Sequence, residues 1–178
     1  KAAYTYLTKF STLMRMILQD SRQRFISLTA EKEWLLLYLE LEKLRMENEL
    51  EYSIFIADEI NANGIMVPSM LVQPYVENAI IHGLLPKEKD RQLKIRFSIA
   101  NNLLHVEIED NGIGRIESEI LNAKRNKKHS SSGMKITQER LEILGFEHGT
   151  SPKLEIRDLA QGTMVLVDLP IIYKQNNE

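Results

Sequence analysis

The stretch "QLKIRFSIANNLLHVEIEDNGIG", residues 92–114, decides the class of fold. Apolar and polar residues alternate through "QLKIRFSI" (92–99) and again through "LHVEIED" (104–110), the period of strands with one buried face. The intervening "ANNL" is a hairpin signal. Asp110 shares the parity of Leu104, Val106 and Ile108, so its carboxylate is expected on the core face just as the strand ends. A carboxylate buried there without a donor is costly. In "NGIG" two glycines flank Ile113 and permit close approach of something flat. For Asp-Asn-Gly taken alone, a plain turn is the simpler account.

The last strand, within "GTMVLVDLP" (162–170), repeats the parity argument. Thr163 falls on the same face as Val165, Val167 and Leu169, directly after Gly162. An acid and a hydroxyl, each at a strand end and each directed inward, are both explained by one donor–acceptor group between them. The exocyclic amine of adenine is such a group. "YSIFIA" (52–57) and "KLEIRD" (153–158) read as further strands, and 134–146 as a helix ending near Gly145. Together these predict an α+β chain, a two-layer α/β sandwich with helices on one face of a mixed sheet.

Residues 70–84 read as another helix, and "QPYVENAIIHG" (73–83) places polar groups inside an apolar stretch. Leu71, Tyr75, Asn78 and His82 share one stripe, with Val72, Val76, Ala79 and Gly83 on the next. Asn78 and His82 are therefore one turn apart on a face flanked by core residues. That pattern suits a buried, satisfied pair as well as the wall of a ligand site. It does not suit zinc, because a metalloprotease-type helix needs two histidines at this spacing. Further on, Lys124, Arg125, Lys127 and Lys128 precede a serine-rich turn, and Gly133 opens a helix. Helix starts favour phosphate, although a solvated basic loop is the simpler reading of this piece alone.

Upstream, Ala3, Leu7, Phe10, Met14 and Ile17 form a heptad seam, too short to claim a coiled coil. A second helix is expected from a cap at Thr29 to about Asn48, striped by Trp34, Leu37, Tyr38, Leu41 and Leu44. Leu35, Leu36 and Leu39 lie off that stripe, which predicts packing on more than one side.

The totals set bounds on function. The 178 residues carry 43% hydrophobic and 27% charged residues and a net charge of −2, with nothing pointing to nucleic acid. The absence of cysteine excludes disulfides and thiolate metal sites. No run of 18 or more apolar residues suggests a membrane span. Lys1 begins straight into helical pattern without a signal peptide, as expected of a piece of a longer protein.

An Asn on a helix, DxGxG after a strand, a loop with Gly at a helix start, and GT on a strand resemble, in that order, the ATP-binding domain of the gyrase, chaperone, histidine-kinase and mismatch-repair superfamily. Within it, "LVQPYVENAIIHGL" (71–84), "ERL" (139–141) and the upstream "FSTLMRMIL" and "FISLTAEKEWLLLYLELEKLRM" are most similar to sensor histidine kinases of the LytS type. The resemblance implies a Bergerat-type domain over 51–172 with a tail at 173–178. Before it would come the remnant of a second dimerisation helix (1–28) and a connecting helix (29–50).

By the same resemblance Asn78 would hold a magnesium ion bridging the ATP phosphates, and Glu77 would help position metal or water. His82 would sit at the pocket edge. Asp110, assisted by Thr163, would accept from the adenine amine, with Gly112 and Gly114 making room for the base. Residues 115–132 would form a lid, with Lys128, Ser131, Ser132 and Gly133 near the phosphates. The implied reaction is transfer of the γ-phosphoryl group of Mg-ATP to a histidine and onward to a response regulator. The parent protein would be a membrane-anchored homodimer, with this part in the bacterial cytoplasm and making no membrane contact.

Ile81 stands where many relatives carry Lys, and Ser131 replaces the first lid glycine. His82, His105, His129 and His148 all lack the Pro-His-Phe setting of a phosphoacceptor, so a kinase lacking its acceptor helix is expected. Pro74 occupies the place of the water-activating Glu of gyrase-type ATPases, which favours a kinase. An anti-sigma-factor-type serine kinase and a non-catalytic nucleotide-sensing module are the alternatives.

Overall fold

The computed structural model describes residues 2–124 and 132–174. Its main layer is a five-stranded mixed sheet in the order β2-β4-β5-β7-β6, built from Leu50–Ile56 (β2), Arg91–Ala100 (β4), Leu103–Asp110 (β5), Leu154–Asp158 (β6) and Thr163–Pro170 (β7). Only the β2–β4 pair is parallel. Asn101 and Asn102 have φ of 52° and 59°, so the β4–β5 turn takes the left-handed conformation that asparagine tolerates. Leu93, Ile95 and Phe97 are fully buried from β4, and Leu104, Val106 and Ile108 nearly so from β5. The expected one-faced alternation is what builds the core.

A second, three-stranded sheet, which the sequence reading lacks, joins Phe25–Ser27 (β1), Ile65–Pro68 (β3) and Ile172–Tyr173 (β8) in the order β1-β3-β8. The first helix (α1, Ala2–Asp20) therefore ends well before residue 28, and the chain turns into β1. The second helix (α2, Leu28–Arg45) starts two residues earlier than a cap at Thr29 would place it, because Ser27 is the cap: its hydroxyl accepts from the Ala30 amide at 3.1 Å.

α2 buries Trp34, Leu35, Leu39 and Leu41, two faces rather than one stripe, as its off-stripe leucines predict. α1 packs on α2 through Leu13, with Met16 and Ile17 beside it, while Leu7, Phe10 and Met14 of the heptad seam face outward. Lys9 pairs with Glu40 across the two helices.

The helix expected over 70–84 is two pieces, an α-helix at Gln73–Asn78 (α3) and a π-helical turn at Ala79–Leu84. Pro74 fits the first turn, where its missing N–H costs nothing. Asn78 stands at the junction of the two helical forms. π-Turns inside helices frequently mark functional sites. Two more helices, Gly114–Lys124 (α4) and Ser132–His148 (α5), cover the segments after β5. The first half of the expected lid is thus helical.

Candidate functional site

Asp110 ends β5 with its side chain inward and only 4% exposed, as its parity requires. It is the register partner of Thr163 at the start of β7 and of Leu93 on β4. Oδ1 accepts the Gly112 amide at 2.8 Å. Burial pushes its carboxyl up to about 6, against the opposing pull of the Gly112 and Thr163 amides and the Lys87 ammonium. The carboxylate is charged at neutral pH and only partly satisfied by its own turn, which leaves acceptor capacity facing the cleft.

The loop after Asp110 is fastened to the helix opposite. Ile113 donates its amide to the Gly83 carbonyl at 3.0 Å. A Cβ on Gly112 would overlap the Gly83 backbone, and one on Gly83 would lie 2.8 Å from Asp110 Oδ1. Gly162 has φ of +81°, and a Cβ on it would lie 2.0 Å from the Asp110 carbonyl oxygen, so no other residue fits before Thr163. Asn111 takes no part in the cleft. Its Oδ1 accepts the Gln92 amide at 2.8 Å, and its Nδ2 donates to the Asp90 carbonyl at 2.8 Å. Lys87 donates from Nζ to the Asn111 carbonyl at 2.7 Å, fixing the same loop from outside.

A cleft of about 460 Å³ opens between the α3/π helix, α4 and the end of the sheet, and Asn78, His82, Asp110, Gly114 and Thr163 all line it. That volume lies in the range of small-molecule sites. The two polar helix residues of the sequence reading and the two strand-end groups are thereby brought to one cavity. Ile81, which is 44% exposed, and Glu77 lie outside its lining. Glu77 is exposed, its charge bears on Tyr38 and Glu42 of α2, and partial desolvation raises its own carboxyl. Gly112 supports the floor of the cleft from behind through its contact with Gly83.

Lys128 and Ser131 lie outside the described residues, and of Ser132 and Gly133 the structure describes only their place at the start of α5. His105 is on the sheet, bridging Asp168 at 2.5 Å and the Ala100 carbonyl at 3.0 Å. Sequence reasoning passed over three contributors. Gly83 and Tyr75 were legible only as members of a helical stripe, and Lys87, in "LLPKEKD", carries no motif at all.

A family model described as histidine kinase matches residues 1–50. The sensor protein LytS of Bacillus cereus is 31% identical over 170 residues, 92% of this chain, and the chain spans 28% of that relative's length. The histidine kinase domain of the Erythrobacter litoralis blue-light activated histidine kinase superposes with a TM-score of 0.59 at 17% identity, covering 93% of this chain and 75% of that one. A structure of the histidine kinase ThkA in complex with the response regulator protein TrrA matches with a TM-score of 0.54 at 16% identity, covering 95% and 49%. By sequence the chain is homologous to sensor histidine kinases of the LytS type, and its fold is that of histidine kinase domains.

Proposed function

We propose that this chain is the ATP-binding part of a two-component sensor histidine kinase, and that the cleft between the α3/π helix and the sheet end takes Mg-ATP. The observation that carries this reading is the convergence of Asp110, Thr163, Asn78 and His82 on one cavity. Asp110 accepts from the exocyclic amine of adenine, with Thr163 beside it. Gly83, Gly112 and Gly162 keep the backbone close enough around Asp110 for a flat base to reach the carboxylate. Asn78 offers a hard amide oxygen toward the phosphates, which suits a magnesium ion that takes one or two protein ligands and completes its shell with phosphate and water. The ion would neutralise charge on the transferred phosphoryl group. His82, one turn on, borders the same phosphate path.

The acceptor in this reading is a histidine outside the present chain, and the next acceptor is a response regulator. The solved complex of a kinase of the same fold with such a regulator supports the second step. A homodimeric, membrane-anchored parent with this part in the cytoplasm completes the proposal. Of this chain itself, no described helix is long and apolar enough to cross a membrane.

The experiment is a titration of Asn78→Ala with ATP in the presence and absence of Mg²⁺. Loss of the magnesium-dependent gain in affinity supports the assignment. Parent-like Mg-ATP binding by the variant contradicts it.

A further inference from the structure

α4 presents its polar side to the cleft and its apolar side outward. Ile116 and Ile120, one turn apart, are 75% and 51% exposed, while Ser118 and Asn122 on the opposite side are half-buried. A helix packed on a protein ordinarily does the reverse. Ser118, Glu119 and Asn122 line the same cleft as Asn78 and Asp110. Among the described residues, neither Ser118 nor Asn122 has a side-chain hydrogen bond to the protein. Ala79, Ile156 and Val165 make much of the remaining lining apolar. An apolar wall alone would favour the isoleucines on the inner side, so the polar stripe calls for a polar partner that is not protein.

The course of α4 says which part of a ligand the stripe would meet. Its first residue, Gly114, lies next to Gly162, beside the Asp110–Thr163 pair assigned to the base. From there α4 packs against the π-helical turn, Ala79–Leu84, which joins Asn78 to the Gly83 contact with Asp110. Ser118 and Asn122 stand about one and two turns beyond Gly114. In a nucleotide, the part between a base at Asp110 and phosphates at Asn78 is the sugar.

The chemistry of the stripe selects the same part. Serine and asparagine can both donate and accept, and a carboxylate only accepts. That set suits hydroxyls, whereas the Glu119 carboxylate would repel phosphate. Arg115, the cation on this side of α4, is held in its two-pronged pair with Asp158. Dinucleotide-binding folds likewise use a carboxylate to accept from a ribose hydroxyl.

We propose that Ser118, Glu119 and Asn122 form a specificity-determining edge that reads the ribose hydroxyls of the bound nucleotide. This rests on the Mg-ATP reading above. The half-buried Ser118 and Asn122 bond the hydroxyls, and the exposed Glu119 accepts from the rim. A site built to hydrogen-bond hydroxyls rejects an analogue without them, because its own polar groups are then left unpaired.

The test compares Mg-ATP with Mg-2′,3′-dideoxy-ATP, which keeps the base and phosphates and lacks both hydroxyls. Both are titrated into the parent and into a variant carrying Ser118→Ala, Glu119→Ala and Asn122→Ala together. The parent is expected to bind ATP about tenfold more tightly than the dideoxy analogue. The variant is expected to bind both at the parent's dideoxy level. A parent that binds the two equally, or a variant that keeps the full preference, overturns the edge and leaves the ATP reading standing. A variant that loses both nucleotides by the same factor also overturns it, since the three side chains then hold only the shape of the cleft. A parent that binds neither nucleotide overturns the ATP reading and this edge together.

Discussion

Gly83 faces Asp110 so closely that a β-carbon on it would lie 2.8 Å from the carboxylate oxygen Oδ1. The two residues come from different layers, Gly83 from the π-helical turn and Asp110 from the end of β5. Their contact sets the distance between the helix wall and the sheet floor of the cleft. Gly83→Ala is therefore expected to weaken nucleotide binding at least tenfold by displacing the carboxylate. Its cost to the fold should be about 1–3 kcal/mol, the usual range for overpacking a tight site. Calorimetric titration beside urea unfolding separates the two effects. An alanine variant with parent affinity contradicts this account of the floor.

The carboxyl of Asp110, held near 6 by burial, makes ligand affinity depend on pH. Only the ionised form accepts from an amine, so affinity should be level above about pH 7. Below about pH 6 it should fall by roughly tenfold per unit as the site must first lose a proton. The measurement is a Kd series from pH 5 to 8. A flat series means that Asp110 is not the acceptor.

Glu31 on α2 is fully buried, and its carboxylate oxygens lack side-chain partners. Burial pushes it up to about 8, the Asp20 carboxylate at the end of α1 pushes the same way, and the Val72 backbone just before α3 opposes them. The folded protein thus holds a proton that the unfolded chain releases near 4.5. For such a raised acid, stability is greatest below the unfolded value and falls as pH rises toward 8, levelling beyond. Glu31→Gln should match the parent near pH 4–5 and exceed it by about 2–4 kcal/mol at pH 9. Denaturant unfolding at both pH values checks it. Parallel curves for the two proteins across that range contradict the buried-acid account.

Two arginines illustrate how burial decides what a contact is worth. Arg115 makes a two-pronged pair with Asp158 at 2.7 Å, but the partners are 49% and 51% exposed. Arg115→Ala should change stability by less than about 1 kcal/mol. Arg140 on α5 donates to the Ser69 carbonyl at 2.9 Å. Ser69 in turn donates its amide to the Arg24 carbonyl at 3.1 Å, and Met70 beside it has φ of 59°. That strained segment leads straight into α3, so Arg140→Ala should cost about 1–3 kcal/mol and also lower ligand affinity. A reversed order of the two effects would contradict the weighting by burial.

The strands and the strand-end groups were legible in the sequence because alternation is a local signal. Asp110 and Thr163 could be placed on one face from parity alone, and they are register partners. The three-stranded sheet was not legible, since "FIS", "IMVP" and "IY" are too short to show a period. The same gap misplaced the start of α2, because β1 running to Ser27 makes that residue the cap. The π-turn leaves no pattern that a 3.6-residue period would reveal. Glu31 was invisible for a different reason. Stripe reasoning assigns a glutamate to solvent, and only the packing of α1 and the segment before α3 encloses it. The resemblance placed Glu77 beside Asn78 at the site, but successive helical residues point about 100° apart, and Glu77 is exposed outside the cleft's lining.

The central claim is that the cleft floored by Asp110 binds an adenine nucleotide. Calorimetric titration of the chain with ATP and Mg²⁺, alongside Asp110→Asn, tests it most directly. The account predicts saturable binding to the parent and its loss in the variant, with both proteins folded. Asparagine keeps the shape of the side chain and removes the charged acceptor. Binding of equal strength in both proteins, or none in the parent, would contradict the account.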